Sequence, residues 1–89
     1  MMSYQVYILE SLKDRRTYTG FSRCAGERLK VHNAGKVSAT KQRAPLRIIY
    51  KENVQTLVDV KKREQYWKSG AGRRKLQKFY KGGFPPIIK

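Results

Sequence analysis

Two short runs, Tyr4-Gln5-Val6-Tyr7-Ile8-Leu9 and Thr17-Tyr18-Thr19-Gly20-Phe21, decide the reading of this chain. Both are rich in β-branched and aromatic residues, which suit a pleated, half-buried surface, and both read as strands. Lys13-Asp14-Arg15 between them is a polar turn. The pair therefore makes a hairpin with a loop of roughly five residues.

Downstream of the hairpin, residues 25–33 read as a short helix, with Ala25, Leu29 and His32 on one face. Gly35 is placed to cap its C-terminus. Residues 36–44 form a basic loop. Pro45 opens a third strand over 46–50, where Ile48, Ile49 and Tyr50 form a buried-looking run. Asn53 is a suitable N-cap for a helix over 54–69. Gly70 and Gly72 flank a break, a last helix covers 73–81, and Gly82-Gly83 stops it. The tail from Phe84 is extended, with Ile87 and Ile88 available to pack back on the body. The order β-β-α-β-α-α predicts a small α/β fold of the α+β type, a three-stranded antiparallel sheet flanked by helices. Neither a repeat nor a linker divides the chain, so one domain is expected over 1–89.

Charge bounds the partners. The 89 residues hold 21 Lys plus Arg against 6 Asp plus Glu, a formal net charge of +15. So much positive charge on a small body repels itself, and a polyanion relieves it. Nucleic acid is the first candidate and an anionic membrane surface the second. The membrane reading is disfavoured, because no basic helix with an exposed aromatic face stands out. Hydrophobic content of 39% is too high for a disordered chain. With Cys24 the sole cysteine, no internal disulfide can form and a zinc site lacks ligands. No signal peptide is recognisable, and no apolar run approaches the roughly 18 residues of a membrane span. A cytoplasmic protein in a reducing compartment is expected.

Within the helix expected over 54–69, Leu57, Val60, Glu64 and Trp67 share a stripe that continues to Ala71. A carboxylate there costs several kcal/mol unless paired or bound to a metal. Glu64 is thus either an edge residue bridging to Lys61 or Lys68, or a ligand. His32 shares a helix face with Arg28, four residues earlier. Tyr7 and Tyr18 fall on adjacent strands of the hairpin. Taken singly, each of these residues is compatible with a purely structural role.

Their order is more specific. Gln5-Val6-Tyr7 is followed by Tyr18-Thr19-Gly20, then by Arg28 to Asn33, a basic loop with Thr40, a strand, and Arg63-Glu64 within a helix. From about Tyr4 to Leu76 this resembles the GIY-YIG nuclease family, in particular its short single-domain branch. Gln5 and Val6 replace the first motif's glycine and isoleucine, and Thr19 replaces the second motif's isoleucine. An asparagine found late in larger members has no counterpart. The resemblance implies a phosphodiester-cleaving endonuclease with one divalent ion, Mg²⁺ or Mn²⁺. The position matching Glu64 holds the metal, Arg28 clamps the phosphate, Tyr7 accepts the proton of the attacking water, Tyr18 orients water or shares the relay, and His32 supports the site.

Lys36, Lys41 and Arg43 in the loop, and Arg73, Arg74 and Lys75 in the last helix, are candidate phosphate contacts. DNA is the expected substrate, with RNA the alternative, and a protein partner would supply target choice. The competing reading is a binder of nucleic acid, on RNA or ribosomes, that keeps the fold without turnover.

Overall fold

A computed structural model describes residues 3–86. The elements run β1 (Tyr4–Ser11), β2 (Thr17–Ser22), α1 (Ala25–Asn33), β3 (Leu46–Val54), α2 (Leu57–Lys68) and α3 (Gly70–Gly82). They form one antiparallel sheet in the order β2-β1-β3. The expected fold and element order are those observed.

β1 is central and is buried from Val6 to Ser11. Its side chains alternate between two cores. Val6 and Ile8 pack with Ile49, Val60 and Trp67 beneath α2 and α3. Tyr7 and Leu9 pack with Ala25 and Leu46 on the α1 side. Helices on both faces explain why β1 reads as a nearly continuous apolar run rather than a polar/apolar alternation.

The boundaries expected after Pro45 are corrected. β3 runs to Val54, not to Tyr50, because Glu52 and Asn53 continue the pairing opposite Val6 and Gln5. The Gln5 side-chain amide also donates to Asn53 Oδ1 at 2.9 Å. Asn53 is therefore a strand residue. The cap of α2 is Thr56, whose side chain accepts from the Asp59 amide. Ser69 caps α3 in the same way, accepting from Gly72, so α3 begins at Gly70 rather than Arg73. The apolar stripe shortens as a result. Val60 and Trp67 are buried, whereas Leu57 is 42% exposed at the first turn and Ala71 belongs to the next helix. α1 has the expected limits and closes on Gly35, with Gly35 N–H donating to His32 and Lys36 N–H to Val31. The expected packing of Ile87 and Ile88 lies outside the described residues. Phe84 does pack on the α2–α3 core.

The α2–α3 corner is tight. A Cβ on Gly72 would clash with the Tyr66 carbonyl oxygen and come within 2.6 Å of Trp67 Cα. Both are backbone atoms that cannot give way, so only glycine lets α3 turn so close to α2.

Two acids, the buried Glu10 and the half-buried Glu52, fasten the helices to the sheet. Glu52 on β3 accepts from Trp67 Nε1 at 3.0 Å, from Tyr50 Oη at 2.7 Å and from both ends of the Arg63 fork. Glu10 on β1 accepts from Tyr80 Oη at 2.8 Å and from Arg47 at 2.8 and 3.1 Å. Burial pushes each carboxyl pKa upward. The bonds from Arg63, Tyr50 and Trp67, and from Tyr80 and Arg47, outweigh burial and hold both below the usual 4.5. Removing the carboxylate in Glu52→Ala would leave Arg63, Tyr50 and Trp67 without an acceptor. It is expected to lower stability by about 3 kcal/mol, the low end for a broken buried pair because Arg63 is part exposed. Urea unfolding of the variant beside wild type measures this, and a loss below about 1 kcal/mol, the scale of an exposed pair, would contradict it.

Candidate active site

The edge strand β2 and the central strand β1 set the floor of the site. Tyr7 lies directly opposite Gly20, and Leu9 opposite Tyr18. The missing side chain at Gly20 is what admits the Tyr7 ring. A Cβ there would stand 2.9 Å from Tyr7 Oη and 3.0 Å from Tyr18 Cε2. The rings of Tyr7 and Tyr18 lie 6.5 Å apart.

α1 brings His32 against both, with ring centroids 5.9 Å from Tyr7 and 4.9 Å from Tyr18. His32 is fully buried, and both its nitrogens are used. Nε2 is 3.1 Å from Tyr7 Oη, and Nδ1 is 2.8 Å from Thr40 Oγ1. Thr40 is itself buried. With the ring neutral, Nδ1–H donating to Thr40 leaves Nε2 free to accept from the Tyr7 hydroxyl. Thr40 thus holds the ring nitrogen opposite the one that meets Tyr7. Sequence order placed Thr40 in the basic loop without a role; no local pattern signals it, because the contact spans eight residues and depends on the loop folding back. Asn33 fixes the end of α1 to β3, donating to the Leu46 carbonyl at 3.1 Å and accepting its N–H at 2.7 Å.

Arg28, one helical turn before His32, is exposed, and it acts on the Tyr7 hydroxyl to lower its pKa. Glu64 on α2 is close enough for its charge to act on Tyr7. The Glu64 side chain is 17% exposed and pairs with Lys68 Nζ at 3.4 Å. Tyr7, Tyr18, Arg28 and His32 therefore cluster around Gly20, with Glu64 within electrostatic reach. Burial raises the Tyr7 pKa above 10.0 and outweighs the lowering by Arg28. Without further positive charge, Tyr7 is a phenol at neutral pH. Burial, then repulsion from Arg28, pushes the His32 pKa below 6.5, so the imidazole is neutral.

The expected phosphate contacts fall into two groups. Lys36 and Lys41 are exposed on the loop that Thr40 ties to His32. Arg43 is largely buried, and its Nε faces Asp14 at 3.3 Å. Arg73, Arg74 and Lys75 are exposed at the start of α3. Arg73 faces the hairpin loop, and the Lys75 ammonium lies 5.9 Å from the Phe79 ring centroid. Among the described residues, no three His, Cys, Asp or Glu side chains gather as a metal cluster, and no helix is long and apolar enough to cross a membrane.

Residues 3–77 match the model of the GIY-YIG catalytic domain, and the chain belongs to that family. Its relatives include a UPF0213 protein of Syntrophus aciditrophicus, 40% identical over 79 residues and covering 86% of this chain and 90% of that one. A UPF0213 protein of Staphylococcus haemolyticus is 33% identical over 78 residues, 86% of this chain and 94% of that one. The solution NMR structure of a UPF0213 protein from Bacillus halodurans superposes with a TM-score of 0.56 at 32% identity, covering 94% of this chain and 89% of that chain.

Two outcomes follow from this geometry. Gly20→Ala should displace the Tyr7 hydroxyl and cut turnover at least about tenfold while leaving the fold intact, since a misplaced reacting group costs more than that; turnover equal to wild type would show that Tyr7 needs no such fit. His32, neutral when folded, takes up its proton on unfolding at the ordinary 6.5. The unfolded state then binds more protons, so stability should fall as pH drops below 6.5 toward the lower folded value. His32→Gln should remove that step, leaving the carboxylate-linked loss of Glu10, Glu52 and Asp14 below 4.5. Urea midpoints from pH 7.5 to 3 for both proteins test this.

Proposed function

We propose that this protein is a metal-dependent endonuclease that hydrolyses phosphodiester bonds in DNA, acting in repair or in processing of structured or single-stranded nucleic acid. The observation that carries this reading is the Tyr7–His32–Thr40 chain of hydrogen bonds beside an exposed Arg28, with Glu64 in reach. Its membership of a family made up largely of endonucleases supports it.

Water adds to phosphorus as the bond to the leaving oxygen breaks. The water's proton passes to the Tyr7 oxygen, whose own proton moves to His32 Nε2. Thr40 holds the opposite face of the imidazole so that Nε2 is the free acceptor. Arg28 clamps two phosphate oxygens with its planar fork and opposes the charge that builds on them. Tyr18 packs against His32 and orients the water. Glu64 would hold Mg²⁺ or Mn²⁺. A single part-exposed carboxylate fits a hard ion that keeps several waters and shares the phosphate, and it does not fit zinc. When bound, the ion supplies charge neutralisation at the phosphate and the leaving oxygen. Its field also opposes the burial that keeps Tyr7 protonated. Lys68, now 3.4 Å from Glu64, would have to release it for the carboxylate to hold the ion.

The same Lys68–Glu64 pair favours a second reading, a non-catalytic binder of DNA or RNA, because a lysine already neutralises the carboxylate. Glu64→Gln separates the two. It keeps side-chain size and removes only the charge a divalent ion requires. Mg²⁺- or Mn²⁺-dependent cleavage of single-stranded, duplex, flap and branched substrates should be abolished, while affinity, spread over many Lys and Arg, stays within about twofold. Arg28→Lys should also fail in cleavage, since a point charge cannot replace the fork. Tight binding without cleavage by wild type would establish the binder instead. Equal cleavage by wild type and Glu64→Gln would assign the activity elsewhere.

A further inference from the structure

A second basic concavity lies just across the edge strand from the cleft. It occupies about 1000 Å³ between the β1–β2 loop and α3, and Arg15, Arg16, Arg43, Arg73, Glu10 and Tyr80 border it. Thr17 also lines it, while Tyr18, the next residue of β2, belongs to the cleft. Consecutive strand residues face opposite sides of a sheet, so the two sites are back to back across one edge. Along β1, Tyr7 and Glu10 are three residues apart, roughly 10 Å at strand rise.

We propose that this groove holds a single-stranded extension of the nucleic acid whose scissile phosphate lies in the cleft. The inference rests on reading the cleft as a nucleic-acid site. Four arginines border the groove against one carboxylate. That carboxylate, Glu10, is already matched by Arg47 at 2.8 Å and by the Tyr80 hydroxyl, so it offers little repulsion to an incoming phosphate. Arg43 spends its Nε on Asp14 at 3.3 Å, so the guanidinium groups open to a phosphate are those of the exposed Arg15, Arg16 and Arg73. Tyr80 is 46% exposed beside these cations. A positive groove with an accessible aromatic ring is how single strands are held without regard to sequence, the ring stacking a base that a duplex would keep paired.

The backbone at Arg15 supports a functional reading. Its φ is +63°, the left-handed region where glycine is the inexpensive residue. A large cationic side chain stands at the one loop position that disfavours it, and it is two-thirds exposed at the mouth of the groove. Its guanidinium lies 3.5 Å from Glu10, a carboxylate that Arg47 and Tyr80 already hold at 2.8 Å.

The test is the double variant Arg15→Gly with Arg73→Glu in the full chain. Glycine relieves the left-handed residue. Glutamate places an acid near the N-terminus of α3, whose first turn has none. The variant should therefore melt no lower than wild type. Binding is read by anisotropy of labelled single-stranded DNA about 5 and about 20 nucleotides long, without divalent metal. Wild type should prefer the longer strand. The variant should lose that preference by about tenfold or more, and its log–log salt slope on the longer strand should flatten by at least about 1.4, two contacts at 0.7 each. An unchanged preference and slope in a folded variant would overturn the groove while leaving the nuclease reading intact. Wild type that binds neither strand at low salt would overturn both.

Discussion

The carboxylate of Glu52 carries the attachment of the helical layer to the sheet. It sits on β3 and meets Tyr50 from its own strand and Arg63 and Trp67 from α2. In a chain with 21 cationic residues and 6 acids, each acid is scarce. Glu10 is buried and Glu52 half-buried, where reduced polarity makes their bonds strong and their loss costly. Glu52 secures α2, and Glu10 secures α3 through Tyr80. Because α2 is held there, Glu64, one turn before Lys68, stands within reach of Tyr7 rather than free in solvent. The position of the candidate metal ligand depends on the anchoring of its helix three residues away at Trp67.

The site itself is built on an edge. β2 has a neighbour on one side only, and Gly20 removes the one side chain that would keep Tyr7 and Tyr18 apart. His32 then bridges strand and loop, with no nitrogen left over. Such a chain is rigid at Tyr7 and open at Arg28, a useful combination when one group must hold a proton and another must meet an incoming phosphate. The rest of the positive charge stays outside, on the Thr40 loop and along α3, where it attracts a polyanion without disturbing the buried relay.

The hairpin, α1 and the order of the six elements were legible from residue pattern, because β-branched runs and a three-four apolar spacing are local signals. The boundary between β3 and α2 was not. Tyr50 to Val54 carries Glu52 and Asn53, residues that read as strand breakers until their partners are known. Glu52 is matched only because Arg63 and Trp67 come to it, and Asn53 is held by Gln5 from β1. Thr56 with Asp59 three residues on was a capping signal that Asn53 obscured.

For function, the sequence by itself determined the charge, the family resemblance and the identity of the residues on offer. Motif order identified Tyr7, Tyr18, Arg28, His32 and Glu64 as a set. Tertiary structure alone decided that Tyr7 is raised in pKa rather than lowered, since burial is a sum over neighbours from every element. It alone decided that Thr40 and not another group orients His32, and that Arg43 is drawn toward Asp14 while Arg73 faces the hairpin. Sequence encodes what each side chain can do. Which of those capacities is used depends on distances between residues far apart in the chain, and those are settled only when the two cores close around β1.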